Sequence, residues 1–162
     1  VSDITYVRLG AEFIYLAIIM DVFTRDIRGW QLGHTLGHAW ALTALQQALA
    51  RPTPVIHHSD QGIQYAAPRY IQTLQAAGIQ ISMAAVGDPR QNGYAERVIR
   101  TIKEEAIDLT EYHDFPDALA QIGPFIADVS RTKRIHSALG YLTPVEFAAA
   151  WRRDHDHGGS PL

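Results

Sequence analysis

Eight consecutive apolar residues, Phe13 to Met20 (FIYLAIIM), constrain the fold more than any other stretch. Apolar side chains at both odd and even positions leave neither face of a strand for water. The run therefore belongs at the centre of a sheet. It is far too short to span a membrane, which takes about 20 residues. Residues 2–9 and 26–32 also read as strands, and Gly10 in LGAE makes a hairpin-like turn between the first two. DVFTR turns the chain after Met20, with Asp21 expected to bond local backbone groups and Asp26 to belong to the same turn.

The next elements alternate. A helix is predicted over Leu36 to Ala50, its apolar face made by Ala41, Leu42, Leu45, Ala48 and Leu49, with His38 and Trp40 as surface or packing residues. After Pro52 and Pro54, VIHHSDQGIQY (55–65) reads as a short buried strand entering a polar turn. Gly62 there allows a left-handed conformation or a close backbone approach. A helix follows, with Pro68 in its first turn and Gly78 at its end, and then a strand over 79–82. Strand, helix, strand implies parallel pairing through a right-handed crossover. Asp60 sits at the carboxyl end of its strand, where α/β sheets place ligands. On this stretch alone, turn-capping accounts for Asp60 equally well. His57 and His58 point to opposite strand faces, so neither is assigned as a metal ligand.

Residues 83–93 (MAAVGDPRQNG) read as a mobile, lid-like loop. The helix after it carries an apolar stripe at Ala95, Val98, Ile99, Ile102, Ala106 and Leu109, while Glu96, Arg100 and Lys103 share another side. Asp114 is predicted to cap a helix reaching roughly to Ser130 that Gly123 and Pro124 interrupt. Thr143, Pro144 and Glu146 begin the last helix with a capping box. Residues 1–153 form one domain, and 154–162 (DHDHGGSPL) read as a disordered tail. A formal net charge of −3 argues mildly against a general nucleic-acid binder, but nine of the 14 Lys and Arg lie between Arg90 and Arg153. The lack of cysteine excludes disulfides and thiolate metal sites.

Five stretches then belong together: DITY, FIYLAIIMDVFTR, HHSDQGIQY, GDPRQNGYAERVIRTIKEE and HSALGYLTPVEF. In this order they resemble the DDE transposases of bacterial insertion sequences, whose catalytic core is shared with retroviral integrases. The resemblance runs from residue 3 to about residue 147, with 35 residues between Asp60 and Glu96. It implies a ribonuclease H-like α/β fold, with a five-stranded mixed sheet and helices on both faces. It also implies that Asp3, Asp60 and Glu96 are the catalytic, metal-binding carboxylates. Asn92, Arg100 and Lys103 are its expected DNA contacts.

The chemistry fits that donor set. Phosphodiester transfer needs an activated oxygen nucleophile, a shielded phosphate and a stabilised leaving oxygen, which two divalent ions about 3.5–4 Å apart supply. Mg²⁺ prefers hard oxygen ligands, with Mn²⁺ an expected substitute. The expected activity is DNA cleavage and strand transfer at transposon ends, in a bacterial cytoplasm, by a homo-oligomer with no membrane partner. Alternatives are a ribonuclease H-like nuclease without strand transfer and a non-catalytic DNA-binding remnant. Two features depart from the family pattern. Arg131 stands where an Asn is usual, and the Trp usual three residues before the first Asp is absent. With no upstream helix-turn-helix region either, the chain reads as an isolated catalytic core.

Overall fold

A computed structural model describes residues 1–35, 37–85 and 92–156. Its element order is β1 (Ser2–Leu9), β2 (Glu12–Met20), β3 (Ile27–Gly33), α1 (His38–Leu49), β4 (Ile56–Ser59), α2 (Pro68–Ala76), β5 (Gln80–Met83), α3 (Gly93–Ile102), α4 (Phe115–Pro124) and α5 (Pro144–Asp156). β2 is central, antiparallel to both β1 and β3. The period of two explains why. Ile14, Leu16 and Ile18 enter one core with Ile99, Ile102, Ile122 and Ile126, whereas Ala17 and Ile19 enter another with α1 and α2. Helices thus cover both faces, as expected.

The expected five-stranded sheet is not one ladder. β4 pairs with β5 in parallel, as a two-stranded sheet separate from β1–β3. β4 meets β1 through side chains, with Ser2 Oγ 3.1 Å from His57 Nε2. The reading of 55–65 as a short buried strand entering a polar turn is corrected in one respect: Val55 and Ile56 are exposed, and it is His57 and Ser59 that are buried. The strand is only four residues long, and its alternation turns the polar pair inward, where His57 finds the Ser2 and Tyr70 hydroxyls.

Close packing explains one glycine. A Cβ on Gly29 would lie 2.0 Å from Ala44 O, so only glycine lets α1 lie this close to β3. Pro68 opens α2 and Gly78, at φ +71°, ends it. Asp21 Oδ1 accepts from the Phe23 and Thr24 N–H groups, as a turn residue should. Asp26 does more than close that turn: it takes Arg51 Nη1 at 2.6 Å and Arg131 Nε at 2.7 Å. Arg131 therefore ties the segment after α4 to the start of β3.

The stripe predicted after residue 93 slips by its last turn. Lys103–Ile107 is wound with i→i+5 bonding, Asp108 N–H donating to Lys103 O at 2.7 Å. The wider turn advances the phase by one residue. Ile107 is consequently buried and Leu109 is exposed. A similar wide turn, Phe125–Lys133, begins directly after Pro124, where the chain changes its bonding pattern. Asp114 caps α4 by accepting from Asp117 N–H, and Thr143 and Glu146 close the capping box of α5 at 2.8–3.3 Å. That last helix extends through Asp156. The rest of the expected tail and the heart of the expected lid, residues 86–91, lie outside the described residues.

Candidate active site

Three segments carry the expected carboxylates, and two of these side chains share a cleft. Asp3 lies on β1, paired in register with Ile18, and its alternation turns it toward α3 with Thr5. Glu96 lies in the first turn of α3. Asp3 and Glu96 line one open cleft of about 460 Å³ with Arg100, Lys103, Glu104 and Asp108. Asp60 follows β4, exposed, at the mouth of a turn.

Two of these side chains are held by backbone. Asp3 Oδ1 accepts from Ile4 N–H at 2.8 Å, and Asp60 Oδ1 accepts from Gly62 N–H at 2.9 Å. A Cβ on residue 62 would stand 2.9 Å from that Asp60 oxygen. Close approach, and not a left-handed backbone, is therefore what Gly62 provides.

The carboxylates feel one another. Burial pushes the Asp3 carboxyl up to about 6, against the hydrogen bond from Ile4, and the charges of Asp60 and Glu96 push it the same way. Among the described residues no Lys or Arg pairs with any of the three. Oxygen-only donors left without a neutralising cation suit a hard divalent ion. The arrangement is open: among the described residues no three Asp, Glu or His side chains close around a single point.

Ser2 links the three segments, which no sequence signal announced. It is buried, and its Oγ meets His57 Nε2 of β4 at 3.1 Å. Tyr70 of α2 approaches the same nitrogen at 3.1 Å. The Ser2 carbonyl accepts from Asn92 Nδ2, just before α3, at 3.2 Å. Ser2 adjoins Asp3, His57 stands three residues before Asp60, and Asn92 four before Glu96. His58 points away, its Nδ1 2.8 Å from Ser82 Oγ, so the histidines divide between opposite faces.

The expected DNA contacts separate. Arg100 is exposed, with no ion pair to Glu96 or Glu104 among the described residues. Lys103 reaches across the cleft, its Nζ 4.3 Å from the centre of the Tyr6 ring. Asn92, in contrast, is 5% exposed, with its side-chain amide donating to the Ser2 carbonyl.

Comparison with known proteins places the chain in a family. An integrase core domain profile matches residues 1–89, and a second one matches residues 77–144. The transposase for insertion sequence element IS904 of Lactococcus lactis is 34% identical over 149 residues, covering 90% of this chain and 59% of that protein. The transposase for IS629 of Shigella sonnei is 33% identical over 153 residues, covering 93% and 51%. The chain thus spans about half the length of these relatives. The HTLV-2 integrase catalytic core domain, solved in complex with magnesium in a trimeric form, superposes with a TM-score of 0.72 at 15% identity, covering 90% of this chain and 92% of that one. The fold is therefore the ribonuclease H-like α/β fold of retroviral integrase cores. Among the described residues no helix is long and apolar enough to cross a membrane.

Proposed function

Because the chain belongs to the integrase core domain family, we propose that it is the catalytic core of an insertion-sequence transposase that cleaves and joins DNA. The observation that carries this reading is that Asp3 and Glu96 line one cleft with no Lys or Arg paired to them among the described residues, while the charge of Asp60 also acts on Asp3. In this reading the three carboxylates hold two Mg²⁺ ions, or Mn²⁺ in their place. Bound there, the ions supply an activated oxygen nucleophile and charge stabilisation on the transferring phosphate. The chain's own residues present the carboxylates, orient them through Ser2 and line the approach with Arg100 and Lys103. Active assemblies are expected to hold more than one copy and to work on transposon ends and target DNA in the bacterial cytoplasm. A joining assay with pre-cut ends and Mg²⁺ or Mn²⁺ tests this. Joined product is expected. Nicking without joining returns the chain to a ribonuclease H-like nuclease, and binding without either makes it a non-catalytic remnant.

Lys103 gives a separate expectation. A phosphate-contacting cation adds about 0.9 to the salt slope on duplex DNA. Lys103→Ala should weaken binding to all sequences alike and flatten the slope by about one, read from DNA titrations at several salt concentrations. An unchanged slope and affinity would leave Lys103 a cleft-wall residue held by Tyr6.

Asn92 follows a different pattern. Its amide holds the β1 backbone beside Asp3, so its removal disturbs carboxylate placement and not DNA affinity. Misplacement by about 1 Å can cost on the order of a hundredfold in rate. Asn92→Ala should therefore lower kcat with Kd for DNA unchanged. A loss confined to Kd would instead make Asn92 a DNA contact.

A further inference from the structure

Behind Glu96, on the opposite side of α3 from the carboxylate cleft, lies a second cavity of about 220 Å³. Three distant segments build it. Arg25 comes from the turn between β2 and β3, Tyr94 and Arg97 from α3, and Arg134 and His136 from the stretch before α5. Its floor is apolar, with Ile102 and Phe125.

The polar groups are arranged in an unusual way. Arg25 holds a left-handed backbone, φ +61°, which is costly for a residue with a long side chain. That conformation sets its guanidinium 4.4 Å from the centre of the Tyr94 ring. Tyr94 is still 52% exposed, so ring surface remains free. Arg134 is paired with Glu105, but among the described residues Arg25 and Arg97 have no carboxylate partner. His136 Nε2 is buried without a hydrogen-bond partner. Burial, with Arg134 and Arg25 nearby, holds the ring below its ordinary pKa and so neutral, able to meet a donor or an acceptor.

Each feature narrows the ligand. Two unneutralised guanidinium groups favour an anion with oxygen acceptors, such as a phosphate. An exposed aromatic ring over an apolar floor favours a flat π-system. The volume falls below the roughly 300–1,000 Å³ of drug-sized sites, which limits it to one such group. We propose that this cavity receives a single DNA nucleotide lifted out of its base stack, with the base against Tyr94, its edge at His136 and its phosphate at Arg25 and Arg97. The inference rests on the DNA-transferring role proposed above. It adds a subsite that would grip a strand one helical face away from Glu96 and so fix the strand's position relative to the carboxylates.

The test uses fluorescence anisotropy with a single-stranded oligonucleotide and with an intact duplex. Base stacking on an aromatic side chain is sequence-tolerant. Removing it weakens single-strand binding by about five- to hundredfold. Tyr94→Ala should show that loss on the single strand, a much smaller one on the duplex, and an unchanged salt slope. Tyr94→Phe should restore binding. Arg97→Ala should also weaken single-strand binding but flatten the slope. Glu96→Gln, which removes the chemistry, should keep full single-strand binding. Wild-type affinity in both Tyr94→Ala and Arg97→Ala overturns the subsite and leaves the functional reading standing. Failure of the wild type to bind any DNA overturns both.

Discussion

Glu96→Gln is expected to abolish cleavage and joining while the protein melts at or above its normal temperature. Asp60→Asn should do the same. Each substitution removes a negative charge and almost no volume. Charge stabilisation by bound metal is worth several kcal/mol in the transition state. Its loss corresponds to a fall on the order of a thousandfold or more. The fold has no reason to suffer. Glu96 makes no hydrogen bond or ion pair among the described residues. The carbonyl oxygen of an Asn at 60 can still accept from Gly62 N–H, as Asp60 Oδ1 does at 2.9 Å. A joining assay beside a thermal melt reads both quantities. Near-normal turnover in either variant would remove that carboxylate from the catalytic set.

Asp3→Asn should make the metal-free protein more stable at neutral pH, and it should turn a nearly flat response to acid into a loss of stability. Asp3 is held up at about 6 in the folded chain, against an ordinary value near 3.8. A raised carboxyl contributes stability below the unfolded value and loses it as pH climbs through 6. The loss is up to about 3 kcal/mol, trimmed by water reaching the half-buried group. His57 works the other way. Burial lowers its pKa to about 3 from 6.5, so its contribution is full above pH 6.5 and declines as acid is added. Between pH 6.5 and 4 that decline is also about 3 kcal/mol. In the wild type the two nearly offset, giving a flat melting profile in metal-free buffer. Asp3→Asn leaves His57 unopposed, and its Tm should fall by roughly 6–12 °C over the same range. Millimolar Mg²⁺ or Mn²⁺ should raise the wild-type Tm at pH 7.5, by about 2.7 kcal/mol at 100 times Kd. Asp3→Asn and Glu96→Gln should both blunt that rise. A wild type with neither a metal shift nor a stabilising Asp3→Asn would mean that the three charges do not converge in solution.

What the sequence determined is local in its physics. An apolar run on both faces placed β2 at the centre, because no register of FIYLAIIM offers a face to water. Turn and cap chemistry placed Gly10, Asp21, Pro68, Gly78, Asp114 and the Thr143–Glu146 box, since each acts within a few residues of itself. The order of motifs named Asp3, Asp60 and Glu96, and the fold brings the first and last into one cleft. Beyond that range the sequence was silent. The wide turn at Lys103–Ile107 moved burial from the expected stripe to Ile107, because one i→i+5 bond shifts the phase of a helix that periodicity assumes uniform. Asn92 was expected on DNA and lies against Ser2, since burial depends on which backbone arrives from 90 residues away. Asp26 looked like a turn residue until Arg51 and Arg131 came to it from two other elements. Only the tertiary structure decides such pairings: they join groups that the chain holds far apart, and no local propensity or spacing encodes the meeting.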